Sequence, residues 1–260
     1  MPAERSGPSR AARGADPAPQ GGIAIEPGAQ PPAAAFAPLL HSDALIAPPE
    51  TLAETALVPD YAALYERAAA DIEGFWADVA HELTWEVPPA RTLAWDGVTA
   101  RWFIGGRCNI TVNCLDRHLH EATRDKTALI WLGEDGDERR FSYAELHRLV
   151  CKFASGLKEL GIGKGDRVCI YMPLTPEGMA AMLACARIGA IHCVTYAGIG
   201  AGALRARIAD AGARAVITAD VGYRRGKAIA LKPIVDEAIA GLDQVERIVV
   251  WRREAASPPA

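Results

Sequence analysis

The chain has 260 residues, a formal net charge of -4 and a hydrophobic fraction of 50%. That is the composition of a soluble globular protein. It excludes a collagen-like fibre, a wholly disordered chain and a nucleic-acid binder that works by bulk positive charge. No apolar run approaches the roughly 18 residues that a membrane-spanning helix needs.

The first fifty residues hold ten of the eighteen prolines and thirteen alanines, with Phe36 their only aromatic. Proline at this density breaks helices and removes strand donors, so residues 1–55 read as a disordered tail. No apolar stretch follows the start, which excludes a secretory signal, and Pro2, Pro8, Pro17 and Pro19 oppose the amphipathic helix of a transit peptide. Over 60–84 the apolar residues Tyr61, Leu64, Tyr65, Ala68, Ile72, Phe75, Trp76, Val79 and Leu83 recur at three and four, which predicts one amphipathic helix. Pro88-Pro89 ends it. Residues 90–115 read as irregular and 113–124 as a short helix, so that 56–124 form a helical and irregular N-terminal segment.

From Ala128 strands and helices alternate. Ala128–Trp131 reads as a strand, Gly133–Asp137 as a turn, and Arg140–Phe141 as the start of a second strand. Ser142-Tyr-Ala-Glu145 is a capping box that opens a helix to about Leu160. The pattern continues with Arg167–Tyr171 (strand), Pro176–Gly189 (helix), Ile191–Tyr196 (strand), Ala201–Gly212 (helix), Ala215–Thr218 (strand), Pro233–Gly241 (helix) and Arg247–Trp251 (strand). The strands are solid apolar runs, as in parallel strands buried on both faces. The expected fold of 125–252 is therefore α/β, an incomplete doubly wound and mostly parallel sheet with flanking helices. Residues 253–260 read as a polar tail, and the last strand has no helix after it, which leaves a sheet edge and face for a partner chain to cover.

The six cysteines form no CxxC pair. Cys169, Cys185 and Cys193 lie in apolar runs and read as small core residues in a reducing cytoplasm. His118 and His120 are two apart, which is the wrong spacing for a shared helix face, and His192 reads as a core histidine, so no metal site is expected. There is no GxSxG, Walker A or HExxH. Gly198–Ala203 can be read as GxGxxA with Asp220 about twenty residues on, the layout of a dinucleotide site. A small-residue loop for close helix packing reads as well. Tyr223-Arg224-Arg225-Gly226-Lys227 follows a strand at its carboxyl end, where open α/β sheets bind ligands. Three cations around a glycine suit a phosphate-bearing ligand, and they equally suit a solvated basic loop.

Together these stretches resemble a known family. Trp102-Phe-Ile-Gly-Gly-Arg107 with Asn109, then Asn113-Cys-Leu-Asp-Arg-His-Leu119, is similar to the N-terminal signature of acetyl-CoA synthetases and their close relatives the propionyl-CoA synthetases, which are AMP-forming acyl-CoA ligases. Gly165–Pro173, Met182–Ala190 and Ile217–Asp220 with Tyr223–Lys227 continue the resemblance in order, from about Tyr61 to Trp251. It implies ATP with magnesium, a carboxylate and CoA as substrates of the complete enzyme. It implies that Arg224, Arg225, Gly226 and Lys227 hold the phosphates of CoA, with Tyr196, Ala197 and Gly198 near its adenine. The family usually reads Phe, Ala or Gly, Gly, Phe, Ser at the second place, where this chain has Tyr196-Ala-Gly-Ile-Gly200; tyrosine can still stack on adenine. The Ser/Thr/Gly-rich phosphate loop, the acyl pocket and the C-terminal domain do not occur in these 260 residues, so the resemblance implies a fragment that does not adenylate alone. CoA and the missing remainder of the ligase, or a full-length homologue, are the expected partners; nucleic acid and membrane are not. A non-catalytic CoA-binding module and a dinucleotide-binding domain are the alternatives.

Overall fold

The computed structural model describes residues 49–134 and 136–253. Residues 1–48, which carry most of the Ala/Pro-rich tail, and residues 254–260 lie outside them. The chain divides into two units. In the first, Glu50–Thr55 forms a short helix, α1, within the stretch read as tail. The second runs from Ala62 onward.

The helix expected over 60–84 is two helices, α2 (Tyr61–Ala70) and α3 (Ile72–Ala80). Asp71 divides them. Its backbone leaves the helical region and its carboxylate accepts the Gly74 N–H at 2.9 Å, which caps α3. A Cβ on Gly74 would lie 2.2 Å from that carboxylate, so glycine is what admits the cap. The apolar stripe is less buried than its periodicity implies: Tyr65, Ile72, Trp76 and Val79 stay exposed. Trp76 meets Trp102 edge-on, centroids 6.2 Å apart.

Residues 90–104, expected to be irregular, form an antiparallel hairpin of β1 (Arg91–Trp95) and β2 (Ala100–Ile104). Asp96 Oδ1 accepts the N–H groups of Val98 and Thr99 at 3.0 and 2.7 Å, and Gly97 takes φ 93°, so a local Asp-Gly turn closes the strands. The expected helix over 113–124 is instead α4 (Ile110–Cys114) followed by a single 3-10 turn, Asp116–His118. β3 (Thr127–Leu132) and β4 (Glu138–Ser142) pair antiparallel. The capping box forms as expected: Glu145 N–H donates to Ser142 Oγ at 3.2 Å, and Ser142 N–H donates to the Glu145 carboxylate at 2.8 Å. It opens α5 (Tyr143–Glu159).

The main sheet contains four parallel strands in the order β10 (Arg247–Trp251), β7 (Ala215–Ala219), β5 (Arg167–Tyr171), β6 (Ile191–Val194). Three helices cross between them: α6 (Pro176–Ile188), α7 (Ala201–Ala211) and α8 (Lys232–Ile239). Gly189 and Gly212, at φ 75° and 60°, end α6 and α7 in the left-handed conformation that glycine adopts without strain. β6 lies on one side of β5 and β7 on the other. Right-handed crossovers therefore put α6 on one face and α7 and α8 on the opposite face. Consistently, α5 packs on α6 and α7 on α8. This is the doubly wound layer the apolar runs predicted.

Burial on both faces holds for β5 and β7, whose residues are buried apart from half-buried Arg167, and fails for the edges. On β6, Ile191, His192 and Val194 are exposed, because β6 has one strand neighbour and it sits at the margin. His192 is thus not a core histidine. Cys169 and Cys185 are core residues, and burial pushes both thiols up to about 11. Cys193, on the edge strand, is only half-buried.

The family-signature residues fasten the N-terminal segment to α6. Asn109 Oδ1 caps α4 by accepting the Thr111 N–H at 2.9 Å. Its Nδ2 donates to the Ala186 and Arg187 carbonyls, at 3.1 and 3.2 Å, at the end of α6. Asn113 accepts the Thr84 N–H at 2.8 Å and donates to the Thr84 carbonyl at 3.1 Å. Arg187 donates to both oxygens of Asp116 at 2.7 and 2.8 Å, and hydrogen bonding and charge from Arg187 hold the Asp116 carboxyl below its ordinary 3.8, with His147 adding to the effect. Arg214 lowers Asp166 and Glu246 in the same way. A carboxyl lowered in the native state contributes stability that is present above its ordinary value and lost as pH falls through the native one. Arg187→Ala strands a half-buried carboxylate, and should cost about 1–3 kcal/mol in urea unfolding at pH 7. The gap to the unmodified chain should narrow as the pH is taken to 3; a gap of constant size would show that the pair is not what was lost.

Candidate ligand-binding cleft

The carboxyl ends of the parallel strands open into one cleft of about 690 Å³. The segment after β5, Met172-Pro173-Leu174, forms its floor together with Ile229 and Leu231. Two walls come from the loop after β6 and from a hairpin after β7. The third comes from the end of β3, with Trp131 Nε1 donating to the Leu174 carbonyl at 2.7 Å.

The loop after β6 is held from the core. Tyr171 is fully buried at the end of β5, and its hydroxyl donates to the Ile199 carbonyl at 2.8 Å. Thr195 N–H donates to the Ile170 carbonyl at 2.8 Å. Between these anchors Gly198 N–H turns back onto the Tyr196 carbonyl at 2.8 Å. The Tyr196 ring lies against Gly198 so closely that a Cβ there would meet ring carbon Cε1 at 2.5 Å. Gly198 thus sets where the exposed Tyr196 ring stands.

The basic stretch read from sequence as a loop is a β-hairpin, β8 (Val221–Arg224) with β9 (Lys227–Ala230). Arg224 pairs with Lys227, which leaves the two-residue turn Arg225-Gly226 at φ 53° and 69°. Both residues are left-handed, as a tight hairpin turn requires; glycine supplies this freely, arginine at a cost. The turn is closed off by Glu134 from the β3–β4 connection. One of its oxygens accepts the Arg225 N–H at 3.0 Å and the other the Gly226 N–H at 3.1 Å.

Of the residues singled out from sequence, Tyr196, Ala197 and Arg224 line the same cleft, with the Arg224 guanidinium 5.6 Å from the Tyr196 ring centroid. Gly198 supports that ring from below. Arg225, Gly226 and Lys227 sit at the exposed hairpin tip beside the cleft and not in its lining. Asp220 is tied into the rim: its Oδ1 accepts the N–H groups of Val221 and Arg253, at 2.7 and 2.9 Å.

Three lining residues escaped the sequence reading. Arg253 lies over the Tyr223 ring at 4.6 Å and over Trp131 at 5.9 Å. Trp131 and Glu134 enter from a different sheet. The usable signal was position, since Arg253 follows the last strand at the same carboxyl edge as Tyr196 and Arg224. Among the described residues, Arg224, Arg225, Lys227 and Arg253 form no ion pair with a carboxylate, so the cleft and its rim carry four cations with charge to spare. Among the same residues no grouping of His, Cys, Asp and Glu could hold a metal ion, and no helix is long and apolar enough to cross a membrane.

Residues 115–259 match the family of AMP-binding enzymes, and residues 61–114 match the acetyl-coenzyme A synthetase N-terminus. The acetyl-coenzyme A synthetase of Streptomyces avermitilis is 50% identical over 219 residues, which are 84% of this chain and 33% of that protein. That of Thiobacillus denitrificans is 53% identical over 208 residues, 78% of this chain and 32% of that protein. The solved structure of acetoacetyl-CoA synthetase from Streptomyces lividans superposes with a TM-score of 0.71 at 26% identity, covering 80% of this chain and 33% of that one. The chain therefore spans about a third of the length of the curated relatives it matches. With its order of motifs, its doubly wound sheet and these matches in agreement, the chain belongs to the family of AMP-binding enzymes, where it corresponds to the N-terminal portion of acetyl-coenzyme A synthetases.

Proposed function

We propose that this span supplies the coenzyme A nucleotide contacts of a cytoplasmic AMP-forming acetate– or propionate–CoA ligase. In that reaction a carboxylate oxygen attacks the α-phosphorus of ATP and pyrophosphate leaves; the CoA thiol then attacks the acyl carbon and AMP leaves. The observation that carries the reading is the Arg224–Tyr196 stack, 5.6 Å from guanidinium to ring, beside cations that form no ion pair with a carboxylate among the described residues. An aromatic face for a purine beside a guanidinium fork for phosphate is the chemistry an adenosine phosphate needs. In this reading Tyr196, with Ala197 and Gly198, takes the adenine of CoA. Arg224 and Lys227 take its phosphates, Arg225 adds charge, and Gly226 lets the ligand approach the turn.

The adenylation half belongs elsewhere in the whole ligase. The Ser/Thr/Gly-rich phosphate loop that the resemblance implies does not occur in the 260 residues. Without such a loop the charge developing at the α-phosphate has no stabilisation. We therefore expect no ATP–pyrophosphate exchange from this chain with acetate or propionate; exchange above background would overturn this division. A stand-alone CoA-binding module rests on the same cleft.

CoA titration by calorimetry tests the site directly. Arg224→Ala removes one charge-assisted contact, worth about 1.5–3 kcal/mol, so CoA affinity should fall roughly 10- to 100-fold. Unchanged affinity in a folded variant would dismiss the assignment. Gly198→Ala pushes Tyr196 off its seat. Since base–aromatic stacking is worth about 1–3 kcal/mol, binding of adenosine 3′,5′-bisphosphate should weaken at least fivefold while pyrophosphate binding is unaffected. Equal loss for both ligands would mean that the glycine serves the loop and not the ring.

A further inference from the structure

Glu134 sits where an anionic ligand would sit. Its two oxygens take the consecutive N–H groups of Arg225 and Gly226 at 3.0 and 3.1 Å. Neighbouring N–H groups in left-handed backbone form a concavity that favours negative charge. Around it stand Arg224, Arg225 and Lys227, none of which pairs with a carboxylate among the described residues. The hairpin has its own ladder, from Val221↔Ala230 to Arg224↔Lys227, and Glu134 adds its contacts only at the turn. Glu134 also lines the cleft, on the wall opposite Tyr196 and Ala197, and belongs to the β3–β4 connection, a separate piece of chain.

We propose that Glu134 is an internal anion that fills the Arg225-Gly226 nest in the ligand-free state and is displaced by the phosphate of the incoming ligand. One consequence follows from charge alone. An incoming anion competes with a tethered carboxylate, so a multiply charged phosphate monoester or pyrophosphate succeeds where a diester or a carboxylate does not. The natural ligand's identity rests on the CoA reading above; the occupancy of the nest does not.

The test uses the full chain, labelled with ¹⁵N, and inorganic pyrophosphate at low salt, with the amide signals of Arg225, Gly226 and Gly133 followed by NMR. Glu134→Gln keeps the side-chain length and removes the charge, and its spectrum reports directly that the chain is folded. Pyrophosphate should move the Arg225 and Gly226 signals in both proteins, with half-saturation at a concentration at least fivefold lower in the variant. The Gly133 signal should move with them in the unmodified chain. Equal or weaker binding by Glu134→Gln, or no response of the two turn amides in either protein, overturns the proposal. Adenosine 3′,5′-bisphosphate as a second probe separates the two readings. If it binds no better than pyrophosphate while the fivefold difference remains, the nucleotide assignment falls and the internal anion stands.

Discussion

The arrangement depends on β5 and β7, the two strands covered on both faces. Because β6 leaves β5 on one side and β7 on the other, the connections beyond their carboxyl ends diverge and leave a crevice above β5. Hydrogen bonds from the core fix its rim. Tyr171 holds the loop after β6 through Ile199, and Thr218 Oγ1 on β7 donates to the Tyr171 carbonyl at 2.9 Å. The glycine loop and the basic hairpin are thus presented from neighbouring strands of one rigid layer.

A second constraint operates at the opposite end of α6. Asn109, Asp116 and Arg187 gather its last carbonyls and the N-terminal segment into one polar joint. Asn113 and Arg117 tie the same segment back to Thr84 and Glu82. Asn109, Asn113, Asp116 and Arg117 belong to the N-terminal signature, and each of them has a structural partner in the fold. The signature marks the family through architecture, since a half-buried polar joint tolerates few other donor and acceptor sets, whereas the proposed nucleotide contacts lie at the carboxyl edge of the sheet.

That division explains what was legible in the sequence. The layer was, because solid apolar runs such as Val168–Tyr171 and Ala215–Ala219 and local signals such as Ser142/Glu145, Gly189 and Gly212 report burial and caps directly. The break at Asp71 and the hairpin at Asp96-Gly97 were missed although each carries a local signal, because the longer periodic stripe and the scattered tryptophans outweighed it. Exposure of His192 could not be read, since the order of strands in a sheet is not written in any one strand. The cleft was half legible. Tyr196, Ala197, Gly198 and the Arg224–Lys227 run lie beside strand ends in sequence. Trp131 and Glu134 come from the end of β3 and the connection after it, Arg253 from beyond β10, and only the fold brings them together.

Arginines of this fold differ in whether a carboxylate answers them. Arg139, Arg187 and Arg214 answer carboxylates at 2.7–2.8 Å and are thereby neutralised within the fold. Arg224 and Arg253 face aromatic rings. A ring orients a guanidinium without cancelling its charge, so these two are held in place and still attract an anion. Glu134 at this rim contacts backbone N–H groups, and among the described residues it forms no ion pair with these cations. A solvated basic face needs neither the ring contacts nor a strained Arg225. A site that must keep its positive charge available, yet aim it, needs both.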